Sequence, residues 1–226
     1  MRAADDIHFD PAITAEDFAK FSRIMAQGIY ADPISPARAS GLLHFDIGIG
    51  ATLIKIDQNA DYWKRSVPKD IIVSGGYVGV PRLIVSKGYG GGTISGSYAK
   101  ISDTGIKIYG GALDMPIIRG TIATPEVSLR GVYSKLSGVD VYRLKTYGVE
   151  AFISKGFGPI TPFAAVGRMK TDARGSIDSV DFNLKDRSSI NRYSAGVRVS
   201  LLVPKIVIEA TQAEQRSYSA KISVGW

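Results

Sequence analysis

Two histidines, His8 and His44, are the chain's whole supply of imidazole, and it has no cysteine. On an extended segment Asp46, two residues after His44, shares its face. A nucleophilic Ser/His site would need a third group to orient the base. No motif supplies one, so His44 is expected to be structural, and His8 lies in the N-terminal segment. Two distant histidines without thiols cannot form a zinc site. Asp172, Asp178, Asp181 and Asp186 are interleaved with Arg174, Lys185 and Arg187, and no EF-hand spacing emerges. Lys87 before Gly88–Gly92 has the composition of a phosphate loop but lacks the Gly-Lys-Ser/Thr order; a turn is expected. No catalytic residue, cofactor or metal is assigned. The run Asp61-Tyr62-Trp63-Lys64-Arg65 is read as an exposed aromatic pair beside two cations. It could contact lipopolysaccharide phosphates or a partner, or anchor in a membrane interface.

The other chemistry-bearing residues are single charges set along alternating segments. Asp46, Glu126, Glu150 and Glu209 stand against Arg82, Arg130, Arg168, Arg192, Arg198 and Lys221. If these face inward, away from bulk water, each needs a partner. They are read as a charge network inside a lumen.

The elements that would hold such a network follow from periodicity. Leu43, Phe45, Ile47, Ile49, Ala51 and Leu53 alternate with His44, Asp46, Gly48, Gly50 and Thr52. This is a strand with one apolar and one small, polar face. The pattern recurs and gives ten expected strands: 43–56, 79–88, 92–102, 105–115, 124–137, 140–155, 159–171, 190–202, 204–213 and 216–226. The fourth resists assignment. Lys107, Tyr109 and Leu113 face one way, Ile106, Ile108 and Asp114 the other, and both sets contain apolar residues. The long connections, 57–78 and 172–189, follow strands one and seven, so in an up-and-down meander both emerge at one end. Tight turns such as Tyr89-Gly90-Gly91, Gly156-Phe157-Gly158 and Val203-Pro204 lie at the other. Membrane barrels show that asymmetry. The second face is mostly Gly, Ser, Thr and Ala, as a narrow filled barrel requires, whereas a soluble sheet would present dense Lys and Glu. Tyr98, Tyr133, Tyr147, Tyr193, Tyr218 and Trp226 fall on the outward faces, where aromatic girdles sit.

Residues 1–42 are different. Thr14 can cap a helix with Asp17 at its third position. Phe18, Phe21 and Met25 then form one stripe from Ala15 to about Gly28, and Pro33 and Pro36 prevent continuation. This short amphipathic helix and its linker are expected to pack on an apolar surface or to plug or lid a pore, with a periplasmic lid as one possibility. The chain carries +7 overall. Counted by position, residues 1–42 carry −2 and residues 43–226 carry +9. No basic run exceeds Lys64-Arg65, so nucleic acid is not an expected partner. No stretch approaches the roughly 20 apolar residues of a membrane helix. Met1 to Asp6 has no apolar leader core, so an exported chain is expected to have lost its signal peptide.

At the C-terminus Tyr218, Ala220, Ile222, Val224 and Trp226 alternate with Ser217, Ser219, Lys221, Ser223 and Gly225. This resembles the C-terminal signature of Gram-negative outer-membrane proteins, with Trp where Phe is commoner. The resemblance implies recognition by the barrel-assembly machinery. Gln27-Gly28-Ile29-Tyr30-Ala31-Asp32-Pro33, Ser86-Lys87-Gly88 and Ser217-Tyr218-Ser219-Ala220-Lys221 also resemble an uncharacterised proteobacterial outer-membrane family with a helical segment before its barrel. That resemblance implies a fold and no activity.

The expected fold is therefore all-β: a transmembrane, up-and-down antiparallel β-barrel of about ten strands (43–226) after a short N-terminal amphipathic helix (1–42), in a bacterial outer membrane. Its expected partners are outer-membrane lipid and lipopolysaccharide and the assembly machinery; the oligomeric state is left open. It is expected to act as a narrow or plugged channel for small solutes, biased to anions by its basic wall. The alternative is a non-conducting structural or partner-binding barrel, and an enzyme is not expected.

Overall fold

The structure is a computed structural model and describes residues 7, 9–37, 40–66, 75–101, 104–177, 182–201 and 203–226. His8, Arg38, Asp178 and Asp181 lie outside the described residues. Period-two segments form β1 (Phe45–Lys55), β2 (Tyr77–Gly88), β3 (Thr93–Lys100), β4 (Lys107–Ile118), β5 (Glu126–Ser137) and β6 (Tyr142–Ser154). They are followed by β7 (Ile160–Ile177), β8 (Phe182–Asp186), β9 (Ser189–Ser200), β10 (Lys205–Gln212) and β11 (Arg216–Gly225). Each of β1 to β7 pairs antiparallel with the next. β8 and β9 both lie along β7, as two stretches of one strand broken at Arg187-Ser188. β9 pairs with β10 and β10 with β11. β1 then pairs with β11 from Asp46↔Gly225 to Ile54↔Ser217. The sheet is a closed ten-strand barrel, and closure removes the exposed edges that an open sheet would carry.

One expected long connection is corrected: strands β7 and β8 take up most of 172–189, because the alternation continues past residue 171, and only 178–181, outside the described residues, lies between them. The other, 56–76, stays long, and the end it leaves is called here the long-loop end. The turns at 89–92, 119–125, 155–159 and 201–204 lie at the other, the short-turn end. Outward residues are apolar along the wall: Ile49, Val149, Val166, Ile208 and Ile222 are all exposed. Tyr98, Tyr109, Tyr133, Tyr147, Tyr193 and Tyr218 are exposed too.

Helix α1 (Ala15–Ile29) starts as the capping signal predicts: the Asp17 amide donates to Thr14 Oγ1 at 3.0 Å. Phe18 and Phe21 are fully buried, and Met25 is half-buried. The helix lies within the barrel. It sits inside the long-loop end, far from the short-turn end where β1 begins. Arg23 pairs there with Glu214 of the β10–β11 turn at 2.9 Å, and Phe18 lies where a Cβ at Gly175 would be. Phe18 and Phe21 pack edge-on against Phe9, and the Tyr142 hydroxyl donates to Ser22.

From the helix the chain threads the whole lumen. Gly28 lies against Ile54, Ala31 against Gly110, and Ile34 against Gly50 and Ile84. Thr93 donates to Ser40 at 2.9 Å near the short-turn end. The threading explains the ambiguity of the fourth strand. Ile106, Ile108 and Asp114 point inward and Lys107, Tyr109 and Leu113 outward. Both faces are apolar because the lumen at the long-loop end is a packed core. Ile54, Val80, Ile108, Leu136, Leu144 and Met169 line it against α1.

The expected exposed aromatic pair is also corrected. Tyr62 and Trp63 lie on α2 (Asp61–Lys64), a single turn in the β1–β2 connection. Both are buried. Trp63 packs on Phe21, and the Lys20 ammonium sits 5.0 Å above the Tyr62 ring. The apolar surface of α1 takes them out of solvent.

Candidate functional site

Below the apolar half the lumen becomes charged, and the N-terminal segment supplies the centre. Pro33 bars the helix from continuing, so Tyr30 to Ser35 crosses the lumen without regular structure and bends at Ile34, whose φ is 50°. Asp32 accepts from Arg130 Nη1 at 3.0 Å and from the Ile34 amide at 2.9 Å. Its other oxygen accepts from Arg192 Nη2. Arg130 (β5) also grips Asp114 (β4) bidentately, at 2.6 Å and 2.9 Å, and donates to the Ser35 carbonyl. Its guanidinium lies 4.3 Å from the centre of the Phe152 ring, a cation–π geometry. Arg192 (β9) reaches Glu150 (β6) at 2.7 Å and Glu209 (β10) at 3.0 Å and lies over the Tyr30 ring. The Tyr30 hydroxyl donates to Glu150 at 3.2 Å.

Arg82 (β2) donates to the carbonyls of Tyr30 and Gly28 and contacts Thr52. Ser134 accepts from the Ala31 amide at 2.8 Å. A Cβ at Gly148 would collide with the Tyr30 ring, so glycine at that position makes room for the plug. Strands β2, β4, β5, β6, β9 and β10 thus all contribute charged groups that close around one short segment. Such geometry holds a chain in place.

A second cluster sits nearer the short-turn end. Asp46 accepts from Lys205 at 3.1 Å, Lys221 at 3.4 Å and Ser223 at 3.1 Å. The lumen there keeps a cavity of about 30 Å³, bordered by Ser35, Asp114, Lys205 and Lys221, with room for only a water or two. Among the described residues no group of three His, Cys, Asp or Glu side chains could hold a metal ion.

Of the lumen charges expected from sequence, Asp46, Arg82, Arg130, Glu150, Arg192, Glu209 and Lys221 are buried inside. Arg198 donates to Thr161 at 3.1 Å. Half-buried Glu126 accepts from Ser128 toward the short-turn mouth. Arg168 is corrected: the inward face of β7 carries Thr161, Phe163, Ala165 and Met169, so Arg168 points outward. Bulky Phe163 and Met169 point inward on that strand, which reverses the usual clue. Asp32, Asp114 and Lys205 were missed. Asp32 lies outside any alternating segment, and Asp114 lies on the strand whose register was open. Lys205 begins a strand just after Pro204. The His44 Nδ1 lies 2.8 Å from the Trp226 carbonyl and ties the start of β1 to Trp226.

No family model matches the chain, and no curated protein matches it in sequence. Among the solved structures that resemble it distantly are two outer-membrane proteins. One is Neisserial surface protein A, at 12% identity and a TM-score of 0.37, covering 80% of this chain and 96% of that one. The other is the Acinetobacter baumannii outer membrane protein Omp33, at 8% identity and a TM-score of 0.32, covering 83% and 100%. The architecture described above rests on the chain's own strand pairing.

Proposed function

We propose that this protein is an integral β-barrel of a bacterial outer membrane whose lumen is closed by its own N-terminal segment. It acts as a non-conducting barrel that works through its loop end and outer wall. One observation carries the closure: Asp32 bridges Arg130 and Arg192 across the middle of the lumen, with Tyr30 and the Arg82-bound carbonyls filling the space beside it. An ion would have to displace that segment to pass. Of the two readings open from sequence, the filled lumen favours the non-conducting one.

The membrane placement is supported by the apolar outer wall and the exposed tyrosines along it. Tyr218, Ala220, Ile222, Val224 and Trp226 form one outward line on β11, the arrangement expected of a strand recognised by the assembly machinery. The experiment has two parts. Heat-modifiable migration on a denaturing gel is expected, and equal mobility before and after boiling would overturn the membrane barrel. Planar-bilayer recording of the full chain is expected to be silent, and a steady open-state current would overturn the closure.

A further inference from the structure

Strand pairing parts before the strand ends at more than one place in the described wall, for example past Lys135↔Lys145 between β5 and β6; the parting between β2 and β3, here the seam, is the one that lies against a cavity. The β2–β3 ladder runs from Gly88↔Thr93 to Leu83↔Tyr98 and stops there. Both strands continue: β2 runs back to Tyr77 and β3 on to Lys100. Over Tyr77–Arg82, β2 is paired with β1, and no described strand pairs with its other side. Pro81 lies in this stretch, a residue that sheets tolerate where a ladder donor is not needed. In a membrane such an opening is costly unless something covers it.

Behind the seam lies a cavity of about 90 Å³ between α1 and β1–β4. Its walls include Phe21, Met25, Trp63, Val80, Ile106 and Ile108. It reaches Val78 and Gly79 on β2 and Ile101 beyond β3, the residues on either side of the parting. In front of the seam, Pro81, Leu83, Tyr98 and Lys100 border an open groove on the outer wall that continues across Ile49 to Ile222. The cavity and the groove thus meet β2 at consecutive residues, Val80 inside and Pro81 outside.

The charge beside the seam points to the head of the occupant. Lys100 and Lys107 are exposed and directly opposed across β3 and β4. Like charges so placed are destabilising unless an anion lies between them. They stand one outward position beyond the Tyr98–Tyr109 pair, at the level where aromatic belts meet lipid headgroups. Lys135 opposes Lys145 in the same way on the neighbouring strands.

We infer that the β2–β3 seam admits the end of an acyl chain of an anionic, phosphate-bearing membrane lipid into the cavity under α1, with the rest of the chain along the outer groove and its headgroup held by Lys100 and Lys107. This rests on the membrane reading above. The test uses the chain's two tryptophans, Trp63 on the cavity wall and Trp226, exposed at the short-turn end. Full-length protein carrying Trp226→Phe is reconstituted in vesicles containing brominated phosphatidylglycerol, and Trp63 emission is read. Loss of emission is expected. The loss should be greater than with brominated phosphatidylcholine at the same fraction. Filling the cavity with Val80→Phe, or with Met25→Phe if the first disturbs assembly, should restore emission. Lys100→Ala with Lys107→Ala should abolish the headgroup preference.

Undiminished Trp63 emission would overturn the inference, provided that Trp226 is quenched in the Trp63→Phe protein and the barrel is therefore embedded. If Trp226 is not quenched either, the membrane reading itself fails. Quenching of Trp63 that ignores headgroup charge would overturn the assignment of Lys100 and Lys107.

Discussion

Asp32 carries a carboxylate into the middle of the lumen, where the guanidiniums of Arg130 and Arg192 converge on it. Burying an ion pair gains little over an apolar alternative, but removing one partner leaves an uncompensated charge, at a cost of roughly 3–5 kcal/mol. The two sides of this clamp are not equivalent. Asp32→Asn leaves Arg130 with Asp114, and Arg192 with Glu150 and Glu209, so its cost should fall at the low end of that range. Arg192→Met strips a cation from three carboxylates at once and should cost more. Denaturant unfolding in detergent, followed by tyrosine and tryptophan emission, would give both values; an equal or reversed order would show that Arg192 does not organise the cluster. A third variant tests fit instead of charge. Gly148→Ala drives a methyl into the Tyr30 ring, and overpacking of this kind costs roughly 1–3 kcal/mol. Replacing Tyr30 by Leu in the same chain should recover most of that loss.

Helix α1 shows which parts of an element the sequence makes legible. Thr14, Asp17 and the Phe18/Phe21/Met25 stripe mark its start and its buried face, because capping and periodicity are local. Its location was not legible. Nothing within Ala15–Ile29 distinguishes an apolar surface outside a barrel from one inside it. The information lies instead in the strands, in inward Ile54, Val80, Ile108, Leu144 and Met169, which would be out of place in a water-filled lumen. Period-two alternation placed most of the charges, since Asp46, Glu150 and Arg192 sit opposite plainly apolar neighbours. It failed where both faces were apolar, at β4, and where the inward face held the bulk, at β7. The cap itself is testable. Thr14→Ala should cost the first turn about 1 kcal/mol, read as faster amide exchange confined to residues near Asp17 and Phe18, with strand amides unchanged. Exchange that accelerated across β1 or β6 as well would mean that α1 and the barrel open as one unit.

At the scale of the whole molecule, the N-terminal segment and the barrel balance each other's charge. The lumen-facing wall contributes Arg82, Arg130, Arg192, Arg198, Lys205 and Lys221 against Asp46, Asp114, Glu126, Glu150 and Glu209, and Asp32 supplies the missing carboxylate. Withdrawing the segment would both open the lumen and leave it with a positive excess. Fields from such unbalanced charge in a narrow, low-dielectric passage select strongly for counter-ions. A chain lacking residues 1–37 should therefore conduct in planar bilayers, and its reversal potential in a potassium chloride gradient should lie toward chloride. If the shortened barrel does not assemble without the apolar packing of α1, Tyr30→Ala with Asp32→Ala in the full chain removes the clamp and keeps the helix. That variant should show brief openings of the same selectivity. Cation selectivity in either protein would mean that the wall charges are not those that face the pore. Silence in both, from barrels shown to be folded by heat-modifiable migration, would mean that the wall closes the lumen without the segment.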